Sequence, residues 1–484
     1  MTPTAILFTI AAYFALLLGI AFLTSRKADN ATFFTANRKS PWFVVAFGML
    51  GASLSSVTFV SVPGMVGASG MTYMQMVLGF LLGYAVIAFV LLPIYYRLNV
   101  PSIYSYLNTR FGTNAYKTGA GFFLLSRTVI AAVRLYVAVM LLQTYVFDAW
   151  NVPFALTAAA VLLLIWLYTH KSGIKTLVWT DFMQTFFLLA ALGIILWQVT
   201  RSLHLDFSGV VASIRESQHA HIFVFDDWHS RQNFFKLFLS GAFVTIAMTG
   251  IDQEMMQKNL SCKNLREAQK NVYSYSLLFV PVNFLFLCLG VLLLNYAAAN
   301  GIALPDSGDA ILPMLVTANY FGTTAIVFFV VGIIAVTFAS ADSALTGLTT
   351  SICVDILNIS RHEEKKAQKI RLAVHFALSL IFIGIMLLFR AINSTSVLNA
   401  IYTIASYAYG PLLGLFAFGI LTKRAVNDRR VPPVCILSPI LCGIIDANSA
   451  RWFNGYQFSY ELLIMNAAFT FAGLLVVRRK VQSI

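Results

Sequence analysis

Long apolar runs separated by short polar segments repeat along the whole chain. Runs of about 18 or more apolar residues are long enough to cross a bilayer as a helix. The pattern predicts thirteen such spans and no soluble domain, so the chain is predicted to be an all-α polytopic membrane protein. The predicted spans are 3–23, 43–66, 74–96, 118–147, 152–169, 176–199, 233–250, 272–298, 324–351, 372–389, 396–420, 432–449 and 457–477.

The composition supports a membrane protein and argues against nucleic acid as a partner. Only 11% of the 484 residues are charged, less than half the roughly 25% found in soluble domains. The net charge of +14 is concentrated in short segments between the apolar runs. We therefore expect the lipid bilayer to be a partner of the chain, and we expect no nucleic-acid partner. The five cysteines lack paired metal-ligand spacing, so neither a disulfide framework nor a zinc site is indicated.

The basic residues predict how the chain is oriented, because cytoplasmic loops are enriched in Lys and Arg. If the loop containing Arg26 and Lys39 is cytoplasmic, seven cytoplasmic segments hold 25 of the 33 Lys and Arg residues. The N-terminus is then outside and the C-terminus is inside. The first span lacks a basic leader and a cleavage site, which indicates a retained helix. The compact chain favours a bacterial inner membrane, that is, a plasma membrane location. The other six segments lie near 97–117, 170–176, 251–271, 352–371, 421–431 and 478–484.

The second span contains more small and hydroxylated residues than an anchor needs. Glycine costs about 1 kcal/mol relative to alanine inside a helix, and hydroxyl side chains compete for backbone carbonyls. We therefore expect this helix to loosen or break where its freed oxygens could bind a small cation or a polar solute. Close helix packing through small residues is the alternative. The residues are Gly51, Ser53, Ser55, Ser56, Thr58 and Ser61.

Two carboxylates lie inside predicted spans. Asp181 is near the cytoplasmic start of its helix, and Asp342 is about ten residues from a cytoplasmic end, or roughly 15 Å deep. A charge near the bilayer centre costs roughly 2.5 to 3.5 kcal/mol, so such residues by default mark a transport pathway. Ser343 adds a neighbouring hydroxyl. Asp181 could instead stabilise a helix N-terminus, and Asp342 could pair with Arg127 or Arg134.

Arg127 and Arg134 lie in one apolar run, seven residues apart and hence on one helical face. Together they could form the positively charged wall of a cavity for an anionic substrate. Structural ion pairing inside the bundle is the alternative.

Five motifs in this order resemble the sodium/solute symporter family. The resemblance covers nearly the whole chain, and SLSSVTFVSVP in the second span is most similar to the sialic-acid and organic-anion branches. The motifs are GASLSSVTF in the second span, VWTDFMQ in the sixth, TGIDQEMMQKNL after the seventh, FASADSALTGLTTS in the ninth and YGPLLGLFAFGILTKR in the eleventh.

The resemblance implies a LeuT-like inverted repeat of five plus five helices, with a broken first helix in each half and the site near the midplane. One transmembrane domain, 1–484, would then comprise an extra N-terminal helix at 3–23 and two extra C-terminal helices at 432–477. The repeats would be 43–199 and 233–420. A monomeric functional unit is expected.

The resemblance also implies two sodium sites. The first would use carbonyls of Gly51, Leu54 and Val336 and the hydroxyl positions 339 and 340. Many members have serine where this chain has Ala339, so Ser340 would act alone unless Ser343 or Asp342 compensates. The second, known in sialic acid transporters, would use Asp181, Asp342 and Ser343. At this second site the carboxylate of Asp342 replaces one of the two hydroxyls found in those transporters, and this replacement would tighten cation binding or permit proton use.

For the solute, the resemblance implies Ser53, Ser55, Thr58 and Tyr73. The arginine that binds the carboxylate in sialic acid carriers aligns with Ile130, one turn from both Arg127 and Arg134.

The implied function is sodium-coupled import of a small polar solute by alternating access, the solute being an organic anion such as sialic acid or another carboxylate. The alternatives are a sodium-coupled sugar or amino-acid symporter, or an uncoupled uniporter or sensor, which Ala339 would favour. An enzyme is not indicated, because the spans contain no nucleophile–base pair.

Overall fold

All thirteen predicted spans correspond to helices in a computed structural model, which describes residues 3–24, 30–99, 102–170, 173–392 and 397–477. The prediction of an all-helical polytopic protein is confirmed. The membrane helices are α1 (Pro3–Thr24), α2 (Trp42–Gly64), α3 (Tyr73–Leu98), α4 (Thr113–Leu142), α5 (Phe154–Thr169), α6 (Ile174–Ser202), α7 (Phe234–Gly250), α8 (Gln253–Leu260), α9 (Leu265–Ala299), α10 (Gly322–Ile356), α11 (Glu364–Ile392), α12 (Val397–Leu421), α13 (Val431–Ala447) and α14 (Leu462–Val476).

The helices differ in how they could cross a bilayer. Among the described residues, nine helices are long and apolar enough to do so alone, and eleven spans result if each of two bent pairs counts once. Helices α5 and α14 are shorter, with 16 and 15 residues. Shorter helices in the connecting segments include Asn30–Thr35, Ser105–Arg110, Phe207–Arg215, Ile311–Thr317 and Ser449–Trp452.

Two spans within the described part of the chain are broken, and they are the two that open the predicted repeats. Helix α2 bends by 56° between Leu54 and Ser56, and α7 and α8 meet at 66°. At the second break the freed carbonyls are satisfied by side chains: Tyr95 donates to Gly250 O at 2.9 Å and Tyr104 to Ile251 O at 3.0 Å. Buried carbonyls need such partners, since hydrocarbon offers none.

The prediction that the seventh span ends at residue 250 and continues as a cytoplasmic loop was wrong. Residues 253–260 form α8, and every one of them is buried. The polar sequence of α8 resembles a loop, but its side chains have interior partners. Gln257 donates to Phe34 O at 2.7 Å and to Thr350 Oγ1 at 2.8 Å. Lys258, which the orientation argument counted as cytoplasmic, lies inside the protein.

Helix α2 is central, packing against α6, α9 and α10. A Cβ atom at Gly48 would lie 2.9 Å from Asp181 Cβ, and one at Gly51 would lie 2.2 Å from Thr185 Oγ1. Such distances allow only glycine, so small-residue packing does operate on the face of α2 that meets α6. Another face of α2 borders a cavity, described below.

Helices α3 and α7 approach each other through Gly79, where an added Cβ would lie 2.0 Å from the backbone oxygen of Phe238. We expect Gly79→Ala to destabilise the protein by about 1 to 3 kcal/mol, because a backbone oxygen can yield only if a helix shifts. The measurement is the thermal unfolding midpoint of purified protein in detergent. Gly193→Ala in α6 is the control, since nothing lies within 4 Å of its added Cβ. Equal midpoints for the two variants would contradict this packing.

Candidate functional site

A cavity of about 70 Å³ lies beside the bend of α2. Its wall combines apolar and aromatic side chains with a few polar groups, which is the usual composition of a solute-binding site. Helices α2, α3, α4, α7, α8, α9 and α12 contribute to it. The polar and charged lining residues are Ser53, Thr58, Tyr73, Tyr84, Arg127, Arg134, Thr245, Thr249, Tyr275 and Tyr402.

The predicted solute residues Ser53, Thr58 and Tyr73 all border this cavity, whereas the side chain of Ser55 lies outside the described part of the chain. Ser53 Oγ is hydrogen-bonded to Tyr275 OH at 2.6 Å, and Tyr275 is hydrogen-bonded to Tyr84. The sequence did not distinguish these tyrosines, because aromatic residues are frequent throughout the spans. A tyrosine in the middle of a predicted span, as at position 84, is the signal that could have found one of them.

Arg127 is neutralised by acids of the second helix break. Its Nε donates to Glu254 Oε2 at 2.5 Å, and a second nitrogen contacts the same oxygen. Asp252 Oδ2 lies 3.8 Å from Nε. Both acids belong to the segment that was predicted to be a loop. The alternative of ion pairing is therefore correct for Arg127, but its partner is Glu254 rather than Asp342.

Arg134, two turns further along α4, has a different environment. It borders the same cavity, and its Nε is buried without a hydrogen-bond partner in the described structure. Within that structure no carboxylate forms an ion pair with it. Of the two arginines in the cavity wall, Arg134 is thus the one whose charge is uncompensated.

A layer of tyrosines separates this cavity from a larger one of about 440 Å³. Tyr73 borders both cavities and is hydrogen-bonded to Tyr402 at 3.0 Å. The ring of Tyr402 packs against that of Tyr460, with 4.7 Å between centroids. The larger cavity is lined by Arg231 and Asp309, which belong to segments predicted to be outside. In this conformation these tyrosines lie between the small cavity and the predicted outer side.

The residues of the first predicted sodium site lie on two helices that pack together. Gly51 and Leu54 precede the bend of α2, and Val336, Ala339 and Ser340 belong to α10. Ser340 Oγ is buried and has no hydrogen-bond partner among the described residues. An unpartnered hydroxyl oxygen in a buried position is suited to sodium, which prefers oxygen ligands. Ala339 is also buried, but its methyl side chain offers no oxygen ligand.

Asp181, Asp342 and Ser343, the second predicted cation site, are all buried. Asp342 is held on both sides: Tyr168 donates to its Oδ2 at 2.7 Å, and Ser343 Oγ to its Oδ1 at 3.2 Å. Asp181 instead forms an ion pair with Lys258, whose Nζ lies 2.7 Å from Oδ2. Sequence reasoning missed Lys258 because its surroundings resemble a polar loop.

Comparison with known proteins gives consistent matches along the chain. The model of the sodium:solute symporter family matches residues 33–429. The human sodium/iodide cotransporter is 23% identical over 451 residues, covering 91% of this chain and 67% of that protein. The sodium/sialic acid symporter NanT of Aliivibrio fischeri is 23% identical over 444 residues, covering 89% and 86%. The solved substrate-bound, outward-open structure of a Na+-coupled sialic acid symporter has a TM-score of 0.83 at 19% identity, with 99% of each chain covered.

The different environments of the two arginines predict different effects on stability. Arg127→Met leaves Glu254 buried without its counter-charge, and breaking a buried pair costs about 3 to 5 kcal/mol. Arg134→Met removes a charge that has no protein partner, so we expect little loss, or a gain. Thermal unfolding in detergent compares them, and the double variant R127M/E254M should recover most of the stability lost in R127M. Equal losses for R127M and R134M would contradict the assignment.

Proposed function

The chain belongs to the sodium:solute symporter family, and on this premise we propose that it imports an organic anion with a single carboxylate by alternating access. Sodium is the coupling ion, as the family implies. The observation that supports an anion is the uncompensated charge of Arg134 in the wall of the small cavity.

The charges of the cavity favour a monoanion over a dianion or a neutral solute. Arg127 already has Glu254, so a bound solute meets one free positive charge. Arginine binds carboxylates through paired hydrogen bonds, and an unpaired guanidinium in a low-dielectric site gains most from such a partner. The solutes named for the two relatives, iodide and sialic acid, each have one negative charge.

The remaining wall suits the body of such a solute. Ser53, Thr58 and Tyr73 offer hydroxyls, and Phe80 and Phe279 offer apolar surface. The cavity of about 70 Å³ is smaller than the roughly 150 Å³ that holds benzene in a protein core. A short carboxylic acid fits a space of this order, whereas a solute as large as sialic acid requires the tyrosine layer to open.

We place the coupling sodium between α2 and α10, at the carbonyls of Gly51, Leu54 and Val336 and the hydroxyl of Ser340. An ion there would tie the broken helix to α10 next to the solute cavity. Sodium binding would thereby stabilise the conformation that binds solute, which is how a ligand shifts a conformational equilibrium. Asp342 lies two residues from Ser340 and adds a negative charge on the same helix.

In the proposed transport cycle, the outer side and the inner side of the solute cavity close in turn. Tyr73, Tyr402 and Tyr460 close the outer side, and the buried ion pairs of α8 with α4 and α6 keep the inner side closed.

We propose that the protein acts as a monomer in a bacterial inner membrane, with the N-terminus outside and the C-terminus in the cytoplasm.

Arg134→Gln should weaken solute binding by about 30-fold or more, because losing one partner of a desolvated charge pair costs about 2 to 5 kcal/mol. The measurement is solute-dependent thermal stabilisation with sodium or potassium, using propionate, pyruvate, sialic acid, galactose and proline. Sodium-gradient-driven uptake into proteoliposomes should then follow for the stabilising acid. Arg231→Gln, in the outer cavity, is the control and should retain affinity.

Three outcomes would overturn this proposal. Stabilisation by galactose or proline alone would indicate a sugar or amino-acid symporter. Unchanged affinity in R134Q would remove the arginine from the site. Solute stabilisation that is the same in sodium and potassium would indicate an uncoupled transporter or sensor.

Ala339→Ser should lower the sodium concentration needed for half-maximal uptake, because it adds a hydroxyl ligand to the proposed site. Ser340→Ala should raise that concentration by about tenfold, equivalent to about 1.4 kcal/mol. Sodium titration of uptake measures both effects. Ala341→Ser is the control, since it also adds a hydroxyl to a buried position of α10. If A339S and A341S shift the sodium dependence equally, the assigned ligand set is wrong.

A further inference from the structure

We propose that the Lys258 ammonium is a built-in cation at the Asp181 carboxylate, so that the chain binds one sodium ion, and not two, in each transport cycle. Nζ lies 2.7 Å from Asp181 Oδ2, so the two side chains form a close ion pair. Both side chains are only 1% exposed. The pair is thus dry, and an ion could reach this oxygen only by displacing the lysine.

The buried charges around the pair indicate how many ions are needed. Asp342 lies within electrostatic reach of both Asp181 and Lys258. These two carboxylates and one ammonium leave a single negative charge. A buried charge requires compensation, since its desolvation costs several kcal/mol. One sodium ion supplies it, and a second would add an uncompensated positive charge.

The buried oxygen atoms are consistent with this count. Both oxygens of Asp342 already accept hydrogen bonds, from Tyr168 and Ser343. Among the described residues neither oxygen of Asp181 accepts a hydrogen bond, and neither does Ser340 Oγ, but only Asp181 has an ammonium group beside it. Because that ammonium repels an incoming cation, Ser340 Oγ is the oxygen that a cation can use.

The packing of α8 keeps the lysine in place. The helix lies against α2, α6 and α10, which include all the proposed cation ligands. Neighbouring side chains fix it from both sides, because Gln257 bonds to Phe34 O and Thr350, and Asn259 Oδ1 accepts from Asn271 at 2.7 Å. Because α8 is held in this way, the backbone of Lys258 keeps its ammonium within reach of Asp181.

The inference rests on the proposed sodium coupling, and with a monoanionic solute it has an electrical consequence. One sodium ion and one monoanion carry no net charge across the membrane. Uptake should therefore depend on the sodium gradient and be indifferent to the membrane potential. Two sodium ions per monoanion would instead make uptake faster when the inside is negative.

The decisive experiment counts sodium ions bound to purified full-length protein by equilibrium binding of radioactive sodium, without solute. We expect one ion per wild-type chain and two in Lys258→Met, because removing the ammonium frees Asp181 for a second ion. The double variant D181N/K258M lacks both charges and should return to one. Lys236→Gln is the matched control, since Lys236 is also a buried lysine but lies in α7, against Tyr456.

Two sodium ions on the wild-type chain would overturn the inference, as would one ion on a folded K258M. If K258M does not fold, the wild-type count and the potential dependence of wild-type uptake still decide, because potential-driven uptake of a monoanion would also overturn it. No sodium binding to any variant would overturn the proposed coupling and this inference together. One ion on the wild type with no sodium-dependent uptake would instead contradict the proposed function alone.

Discussion

The hydrocarbon around this protein cannot solvate a charge or an unpaired carbonyl, so each such group must be satisfied from within. The carbonyls at the second helix break accept hydrogen bonds from tyrosine hydroxyls, and Arg127 and Lys258 form ion pairs with carboxylates. Where a buried group lacks such a partner, a transported ion or solute can supply it. Arg134 lacks an anion and Ser340 Oγ lacks a partner in the described structure, and these are the positions to which the proposed function assigns solute and sodium.

The membrane helices could be predicted from the sequence because a span needs about 20 apolar residues, and composition alone reveals such runs. The same reasoning failed at α8. Its sequence, QEMMQKNL, is polar, and hydropathy cannot distinguish a polar segment in water from one whose side chains all meet partners in a protein interior. The bend of α2 was predictable, since Gly51 and the hydroxyls around it weaken the helix locally.

The charged residues of the site were predictable for a related reason: Asp181, Asp342 and the two arginines stand out against apolar surroundings. Their partners were not predictable. A spacing of seven residues places Arg127 and Arg134 on one face of α4, yet only the position of α8 determines that Glu254 reaches one and not the other. Tyr275 and Tyr402 were missed because a tyrosine in a span contrasts little with its neighbours, although its hydroxyl changes what the cavity can bind.

The pairing of charges also suggests why solute and sodium would move together. Arg127 with Glu254, and Lys258 with Asp181, are each neutral, and Asp252 is stabilised by the N-terminus of α8 and the hydroxyl of Tyr409. What remains is the negative charge of Asp252 and of Asp342 and the positive charge of Arg134, an excess of one negative charge. In the proposed function, an anion bound at Arg134 without sodium would increase this excess, and a sodium ion would offset it. A net charge in an occluded interior of low dielectric constant is costly. This penalty would make the protein that holds the anion without sodium the form least able to close, and it would couple the two species without any contact between them.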